Sequence, residues 1–236
     1  MHILPASVSR GIIVLQINKE MALVKRIVCF GDSNTYGFAA GIGGRFDDGA
    51  RWSGILKKSL AKKNIEVIEE GMNGRTTVFD DPTEEGRNGS DALGHILKKY
   101  GRIDMIIIML GTNDCKVKFG ADAKAIAQGM DVLISMIKLF DTNINVLLIS
   151  PAEINEGVRT GWFAENFDDT SIEKSKRLAD EYRELARRRG CVFLNASDHV
   201  KTDSFDGIHL NKDAHKELAR VVEDAVTEAL RAEYGG

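Results

Sequence analysis

The sequence lacks the features that mark several classes of protein. Its 236 residues include only three cysteines, too few for a disulfide framework, so we expect free thiols in a reducing compartment. The longest apolar run, residues 105–110, is far below the ~20 residues that a membrane helix needs. The formal net charge of −3 provides no positive excess for binding nucleic acid or an anionic membrane. We therefore expect a cytoplasmic protein with no membrane partner and no nucleic-acid partner.

Linkers are also scarce, because the chain has only three prolines and no repeat or low-complexity tract. We expect an N-terminal extension over residues 1–20 and one domain over residues 21–236. The extension has neither a basic start nor a small-residue cleavage site, which argues against a signal peptide. Its apolar segment, residues 11–17, favours an added edge strand or a subunit contact.

Short apolar segments alternate with helical patterns along the expected domain. The predicted strands are residues 27–30, 66–68, 105–110, 146–149 and 191–194. The third is apolar on both faces, as is typical of a central parallel strand covered by helices on each side. The alternation predicts an α/β fold: a three-layer α/β/α sandwich, flavodoxin-like, with a five-stranded parallel sheet. Ligands of such sheets bind beyond the carboxyl ends of the strands.

Four segments at those strand ends carry residues that could form one site. The first strand is followed by GDSNTYG, which contains Ser33, the second by a loop with Gly74, and the third by GTND, which contains Asn113. Asp206 and His209 lie three residues apart before the last predicted helix. Each signal is weak alone, because turn residues of these types usually serve their own backbone. Together they supply a hydroxyl, hydrogen-bond donors and an Asp–His pair, which are the groups that nucleophilic acyl transfer needs.

These blocks resemble the SGNH (GDSL-type) hydrolase family, and most closely its bacterial arylesterase/acyltransferase branch. The matching blocks are GDSNTYG, RWSG, VIEEGMNGRTT, IIMLGTND and SFDGIHL, and they occur in the family's order. One departure is Asn34, which stands where the GDSL motif has leucine. Asp32 resembles the family's neighbour of the serine, which orients the turn. The resemblance implies a serine esterase that hydrolyses small acyl esters, with acyl transfer as a second outcome.

The resemblance also assigns roles to individual residues. Ser33 would be the nucleophile, His209 its general base, and Asp206 the carboxylate that orients the imidazole. The oxyanion hole would consist of the N–H groups of Ser33 and Gly74 and the side-chain amide of Asn113. No cofactor is implied, and no metal site is expected from the spacing of the histidines and cysteines.

Aromatic residues are the candidates for substrate binding. Phe38, Trp162 and Phe163 would line the acyl pocket or its entrance, whereas Trp52 is expected in the core. Trp162 and Phe163 lie on a connection, residues 151–171, that is long for a compact domain. In the resembling branch such loops build homo-oligomers with narrow entrances, which favours small acyl groups such as acetyl.

Two other functions remain compatible with parts of the pattern. A carbohydrate O-deacetylase would use the same catalytic residues beside a polar alcohol site. A non-enzymatic, flavodoxin-like module would bind phosphate at GDSNTYG. The sequence argues against the module, because it has no glycine-rich phosphate loop with a following lysine and gives Asp206 and His209 no task.

Overall fold

Apolar residues dominate the predicted strand segments, and all five segments form strands. The structure, a computed structural model, describes residues 24–232. The strands are parallel and form one sheet in the order β2-β1-β3-β4-β5. Their bounds are β1 Lys25–Gly31, β2 Ile65–Gly71, β3 Met105–Met109, β4 Asn145–Ser150 and β5 Val192–Asn195. The expected extension over residues 1–20 lies outside the described residues.

Helices follow the strands and cover both faces of the sheet. They are α1 Ser33–Tyr36, α2 Trp52–Ala61, α3 Gly89–Tyr100, α4 Ala123–Phe140, α5 Asp169–Arg189 and α6 Lys212–Ala232. The predicted α/β/α sandwich with a flavodoxin-like strand order is thereby confirmed. None of the helices between residues 24 and 232 combines the length and apolar character needed to span a bilayer.

Alternation along the central strands divides the core into two layers. In β3, Ile106 and Ile108 pack with α3, α4 and α5, while Met105 and Ile107 pack on the face covered by α2 and α6. All four side chains are buried, as expected for a parallel strand with helices on both sides. Trp52 is fully buried in the second layer, which confirms that it is a core residue.

Short polar side chains fix where the long helices begin. The side chain of Asp122 caps α4 by accepting from the Ala125 N–H at 2.8 Å. Asn211 accepts from the Ala214 N–H at 3.0 Å and so caps α6. Such caps satisfy N–H groups that have no partner within the helix. The cap at Asn211 also fixes the point where the preceding loop, which carries His209, must end.

Candidate active site

Ser33 is held at the carboxyl end of β1 by its neighbours in the turn. It is the first residue of α1, and the Oδ1 atom of Asp32 accepts from the Asn34 N–H at 2.9 Å. Gly37 ends this short helix in the left-handed region, with φ of 84°, which a residue with a Cβ rarely adopts. The strand and the two caps together direct the Ser33 side chain to the upper edge of the sheet.

The loop before α6 brings His209 and Asp206 to Ser33. The distance between Ser33 Oγ and His209 Nε2 is 2.9 Å, and that between His209 Nδ1 and Asp206 Oδ2 is 2.7 Å. All three side chains are buried. With the Nδ1–H donating to Asp206, the Nε2 atom is free to accept the proton of the serine hydroxyl.

Asp206 is held as an anion in spite of its burial. Desolvation is the largest effect on its pKa and raises it, but the hydrogen bond and charge of His209 act in the opposite direction. The N–H groups of Ile208 and His209 also donate to its Oδ1, each at 3.0 Å. The net effect is a pKa below the usual value for aspartate. An ionised carboxylate at this point can orient the imidazole and stabilise its protonated form.

Asn34 connects the serine turn directly to the histidine loop. Its Nδ2 donates to the Ile208 carbonyl at 2.9 Å, and its Oδ1 accepts from the Leu210 N–H at 3.0 Å. These two residues flank His209, so one buried side chain fixes the backbone on both sides of the imidazole. In the sequence, the only sign of this role is the departure from the GDSL motif.

The segments after β2 and β3 meet on the other side of Ser33. Gly74 has φ of 77°, and the Asn113 side chain donates from Nδ2 to the Arg75 carbonyl at 3.0 Å. This bond fixes the orientation of the amide and leaves its second N–H for another acceptor. Ser33, Gly74 and Asn113 line the same cavity.

Asp114 is a further buried residue of this side, and its role was not predicted from the sequence. Its Oδ1 accepts from the Thr77 N–H at 2.9 Å and also contacts the Thr77 hydroxyl. Desolvation raises its pKa to about 6, although the bonds from Thr77 act to lower it. Asp114 therefore fastens the loop after β2 to the turn after β3. The signal available in the sequence was its place beside Asn113 in GTND.

A cavity of about 250 Å³ opens above these groups. Phe38 and Phe163 line it and lie against the imidazole of His209, with ring centroids 4.6 Å and 5.5 Å away. Trp162 differs from the expectation, since it does not line the cavity. Its side chain is 61% exposed and packs on Phe205. The adjacent residues Trp162 and Phe163 therefore lie in different environments, the first at the surface and the second in the cavity wall. The remaining lining residues are Asn73, Glu84, Lys116, Asn166, Phe167 and Ile208.

Elsewhere in the described residues there is a larger groove but no cluster of metal ligands. A larger groove of about 770 Å³ lies elsewhere, between the segment that includes Glu153 and the one that includes Lys201, and contains none of the expected site residues. Between residues 24 and 232, no three His, Cys, Asp or Glu side chains are grouped so that they could hold a metal ion.

Comparison with known proteins gives a family match and several similar structures. The model of the GDSL-like lipase/acylhydrolase family matches residues 29–217. The structure of an aryl esterase of M. smegmatis is similar, with 35% sequence identity and a TM-score of 0.80. The match covers 86% of this chain and 99% of that chain. A carbohydrate acetylesterase of Sinorhizobium meliloti is 32% identical, with a TM-score of 0.81, over 87% and 99%. A lipase/acylhydrolase of Enterococcus faecalis shares the fold at 18% identity and a TM-score of 0.64, over 87% and 96%. No curated protein matches the sequence.

Proposed function

The chain belongs to the GDSL-like lipase/acylhydrolase family and is a carboxylic ester hydrolase, and from this premise we propose that it cleaves small acyl esters through Ser33, His209 and Asp206. The observation that carries the proposal is the continuous chain of hydrogen bonds from Ser33 Oγ to Asp206, at 2.9 Å and 2.7 Å, on the wall of a cavity. A phosphate-binding module is set aside by the family match.

In the proposed reaction, His209 Nε2 removes the proton of Ser33 as Oγ attacks the ester carbonyl. Asp206 stabilises the imidazolium, which then protonates the departing alcohol. The acyl group stays on Ser33 until water, deprotonated by His209, attacks and restores the free enzyme. An alcohol in place of water gives acyl transfer by the same steps.

The negative oxygen of the tetrahedral intermediate would be bound on the side of Gly74 and Asn113. The Ser33 N–H lies at the first position of α1, where N–H groups have no acceptor within the helix. The second N–H of the Asn113 amide remains after its bond to Arg75. Donors fixed in this way stabilise developing charge without having to reorganise.

A serine-specific test separates this mechanism from other hydrolytic routes. Ser33→Ala should lower kcat for a short aryl ester by about 10⁴-fold or more, with an unchanged melting temperature. A fluorophosphonate should label the peptide that contains Ser33. Ser204→Ala, an exposed serine on the histidine loop, is the matched control and should behave as wild type. Retention of more than about a tenth of kcat in Ser33→Ala would reject the assignment.

The size of the cavity supports a short acyl group. At about 250 Å³ and bordered by Phe38 and Phe163, it has space for an acetyl ester of a small alcohol rather than for a long chain. In a series of p-nitrophenyl esters, kcat/KM should fall from acetyl to octanoyl. Faster turnover of the long esters would show that another channel takes the acyl chain.

A carbohydrate O-deacetylase is a second candidate, favoured by the polar residues on one side of the cavity. Aryl acetates and acetylated sugars use the same triad and differ in the alcohol that must be accommodated. Comparing kcat/KM for phenyl acetate and for an acetylated monosaccharide distinguishes the two. A preference for phenyl acetate with no measurable turnover of the sugar would remove this candidate.

Homo-oligomer formation stays a prediction, with one surface that supports it. Trp162 and Phe205 are exposed and pack edge to face. Exposed aromatic pairs of this kind are common at protein interfaces. Light scattering should give a mass above that of one chain, and a monomer at micromolar concentration would contradict the prediction.

A further inference from the structure

One side of the active-site cavity carries polar side chains that the esterase mechanism does not use. Asn73, Glu84, Lys116 and Asn166 line the cavity together with the catalytic residues. An ester made only of alkyl or aryl groups offers these side chains no hydrogen-bonding partner, and it would displace the water that solvates them. Their presence therefore points to a polar group on the preferred substrate.

Lys116 is held at the cavity by two carboxylate groups, of which that of Asp81 is buried and that of Glu84 is exposed. Its side chain is 7% exposed, and its Nζ lies 3.3 Å from Asp81 Oδ2 and 3.9 Å from Glu84 Oε1. Burial is the largest effect on the pKa of Asp81 and raises it, but Lys118, Thr83 and Lys116 together bring the pKa well below the usual range. Asp81 is thus an anion that forms an ion pair with Lys116. An ammonium has three donors, so one remains for a ligand after two carboxylates.

Glu84 places an acceptor beside this donor. Its carboxylate lies over Gly74, where a Cβ atom would be only 3.0 Å from Glu84 Oε2. The same Oε2 accepts from Arg87 Nε at 2.9 Å, while Oε1 is the atom nearer to Lys116. The edge of the cavity next to the proposed oxyanion hole therefore presents a carboxylate and an ammonium side by side.

Asn73 adds an acceptor whose partner is missing. Its Oδ1 is buried and receives no hydrogen bond from any described residue. Buried polar atoms without a partner are rare because they lose the bonds that water would make. A ligand O–H group in the cavity would supply the donor that Oδ1 lacks.

We infer that Asn73, Glu84 and Lys116 form a hydroxyl-binding subsite, so that the preferred ester carries a free hydroxyl group close to its carbonyl. A hydroxyl accepts from an ammonium and at the same time donates to a carboxylate or amide oxygen, which matches this pairing. A second anion would be repelled by Glu84, and an apolar group would leave Asn73 Oδ1 without a donor and the remaining N–H of Lys116 without an acceptor. The inference rests on the proposed esterase function, because it concerns the neighbour of the same reacting carbonyl.

Two matched pairs of esters test the subsite and locate the hydroxyl. Glyceryl 1-acetate and propyl acetate differ in hydroxyls on the alcohol side, and ethyl 3-hydroxybutyrate and ethyl butyrate differ by one on the acyl side. Wild type should have the higher kcat/KM for the hydroxylated ester in at least one pair. In Lys116→Met this preference should fall about tenfold or more, the range for a lost hydrogen bond to a charged group.

Lys118→Met is the matched control for the loss of charge. Lys118 also binds Asp81, but it does not line the cavity, so its substitution should leave the preference as in wild type. Asn73→Leu provides a second variant that leaves the Asp81 ion pairs intact, and its preference should fall as well.

The outcomes of these measurements separate the subsite from the catalytic mechanism. Equal kcat/KM within both pairs for wild type, or equal losses of preference in Lys116→Met and Lys118→Met, would overturn the subsite. Hydrolysis of the plain esters that depends on Ser33 would in that case still support the triad. Hydrolysis that survives Ser33→Ala would reject the proposed function itself.

Discussion

The two sides of the active site are fastened by different arrangements of residues. On the histidine side, Asn34 holds the backbone around His209 and takes no part in the proposed proton transfers. On the oxyanion side, Asn113 holds the Arg75 carbonyl and is itself the proposed donor to the substrate. On the histidine side, one residue, Asn34, fixes the position and another, His209, would carry the chemistry. On the oxyanion side, Asn113 would do both.

The buried carboxylates of the two sides, Asp206 and Asp114, have pKa values that are shifted in opposite directions. Asp206 and Asp114 are both removed from water, and both accept hydrogen bonds. The pKa of Asp206 is lowered because the hydrogen bonds and charge of His209 outweigh desolvation. The pKa of Asp114 is raised to about 6 because desolvation outweighs the neutral donors of Thr77. The charge of the partner, rather than burial alone, decides which carboxylate stays ionised.

Replacing Asn113 should have the largest effect among tests of this comparison. Asn113→Ala should lower kcat by about 10²–10³-fold with little change in KM, as expected for the loss of an oxyanion donor. The Arg75 carbonyl also loses its donor, so unfolding free energy should fall by about 1 kcal/mol. Both quantities are measured on one preparation, by steady-state kinetics and by thermal unfolding.

Asn88→Ala is the matched control for Asn113. The Asn88 amide donates to the Val78 carbonyl at 2.9 Å, at the far end of the same loop, but does not line the cavity. It should lose stability and keep kcat. If Asn113→Ala also lost stability and kept a near-normal kcat, Asn113 would be a structural residue only.

Replacing Asn34 should have an effect of intermediate size. It should act on kcat through the position of His209. Asn34→Ala frees the backbone on both sides of His209, and a displacement of about 1 Å at a catalytic group costs about 10²-fold in rate. We expect kcat to fall by about 10- to 100-fold, with a parallel fall in the rate of fluorophosphonate labelling. KM should change little.

Asn155→Ala controls for loosening of the same loop. The Asn155 amide donates to the carbonyl and hydroxyl of Thr202, before the segment that carries Asp206 and His209. It should reduce stability with a smaller loss of kcat than Asn34→Ala. Wild-type kcat and labelling rate in Asn34→Ala would show that His209 is positioned without it.

Asp114 should make folding stability depend on pH in the direction opposite to Asp206. With a folded pKa of about 6 against an ordinary 3.8, the native state binds more protons between these values than the unfolded chain. Stability contributed by Asp114 is therefore present at pH 4 and declines as pH rises through 6. The stability difference between wild type and Asp114→Asn should shrink over this range, by ~1–3 kcal/mol.

The measurement is denaturant unfolding at several pH values between 4 and 7, with Asp180→Asn as the control. Asp180 is exposed and pairs with Arg183 on the surface of α5, where an ion pair contributes little. Its difference from wild type should stay nearly constant across this range. A pH-independent difference for Asp114→Asn would mean that Asp114 is ionised throughout.

Trp162 should have the smallest effect, because it lies outside the cavity. Trp162→Ala should leave kcat/KM for a short aryl ester within about twofold of wild type, the scale expected of a surface substitution. Phe163→Ala is its matched neighbour and should change kcat/KM more, since Phe163 lines the cavity and contacts His209. An equal or larger effect of Trp162→Ala would place the indole at the substrate entrance.

The fold was accessible from the sequence because its signals are local and repeated. A buried strand such as β3 is apolar on both faces, and a helix such as α6 is preceded by its capping residue. The convergence of Ser33, Gly74 and Asn113 followed from a general property of parallel sheets, whose strand ends share one edge.

Other features depend on partners that are distant in the chain, so no local pattern indicates them. Asn34 bonds to Ile208, 174 residues away, and Asp114 bonds to Thr77, 37 residues away. Trp162 was expected in the site because it is aromatic and lies on a long loop. Its actual direction is set by packing on Phe205, a contact that its own segment does not encode.

The distance in sequence between the proposed nucleophile and its proposed base has a consequence for the timing of activity during synthesis. Ser33 and His209 are 176 residues apart, and all five strands precede the histidine loop. A ribosome-bound chain can thus complete the sheet while its serine still has no base. In the proposed mechanism the serine would therefore gain its base only after the histidine loop has been synthesised and its backbone has docked on Asn34.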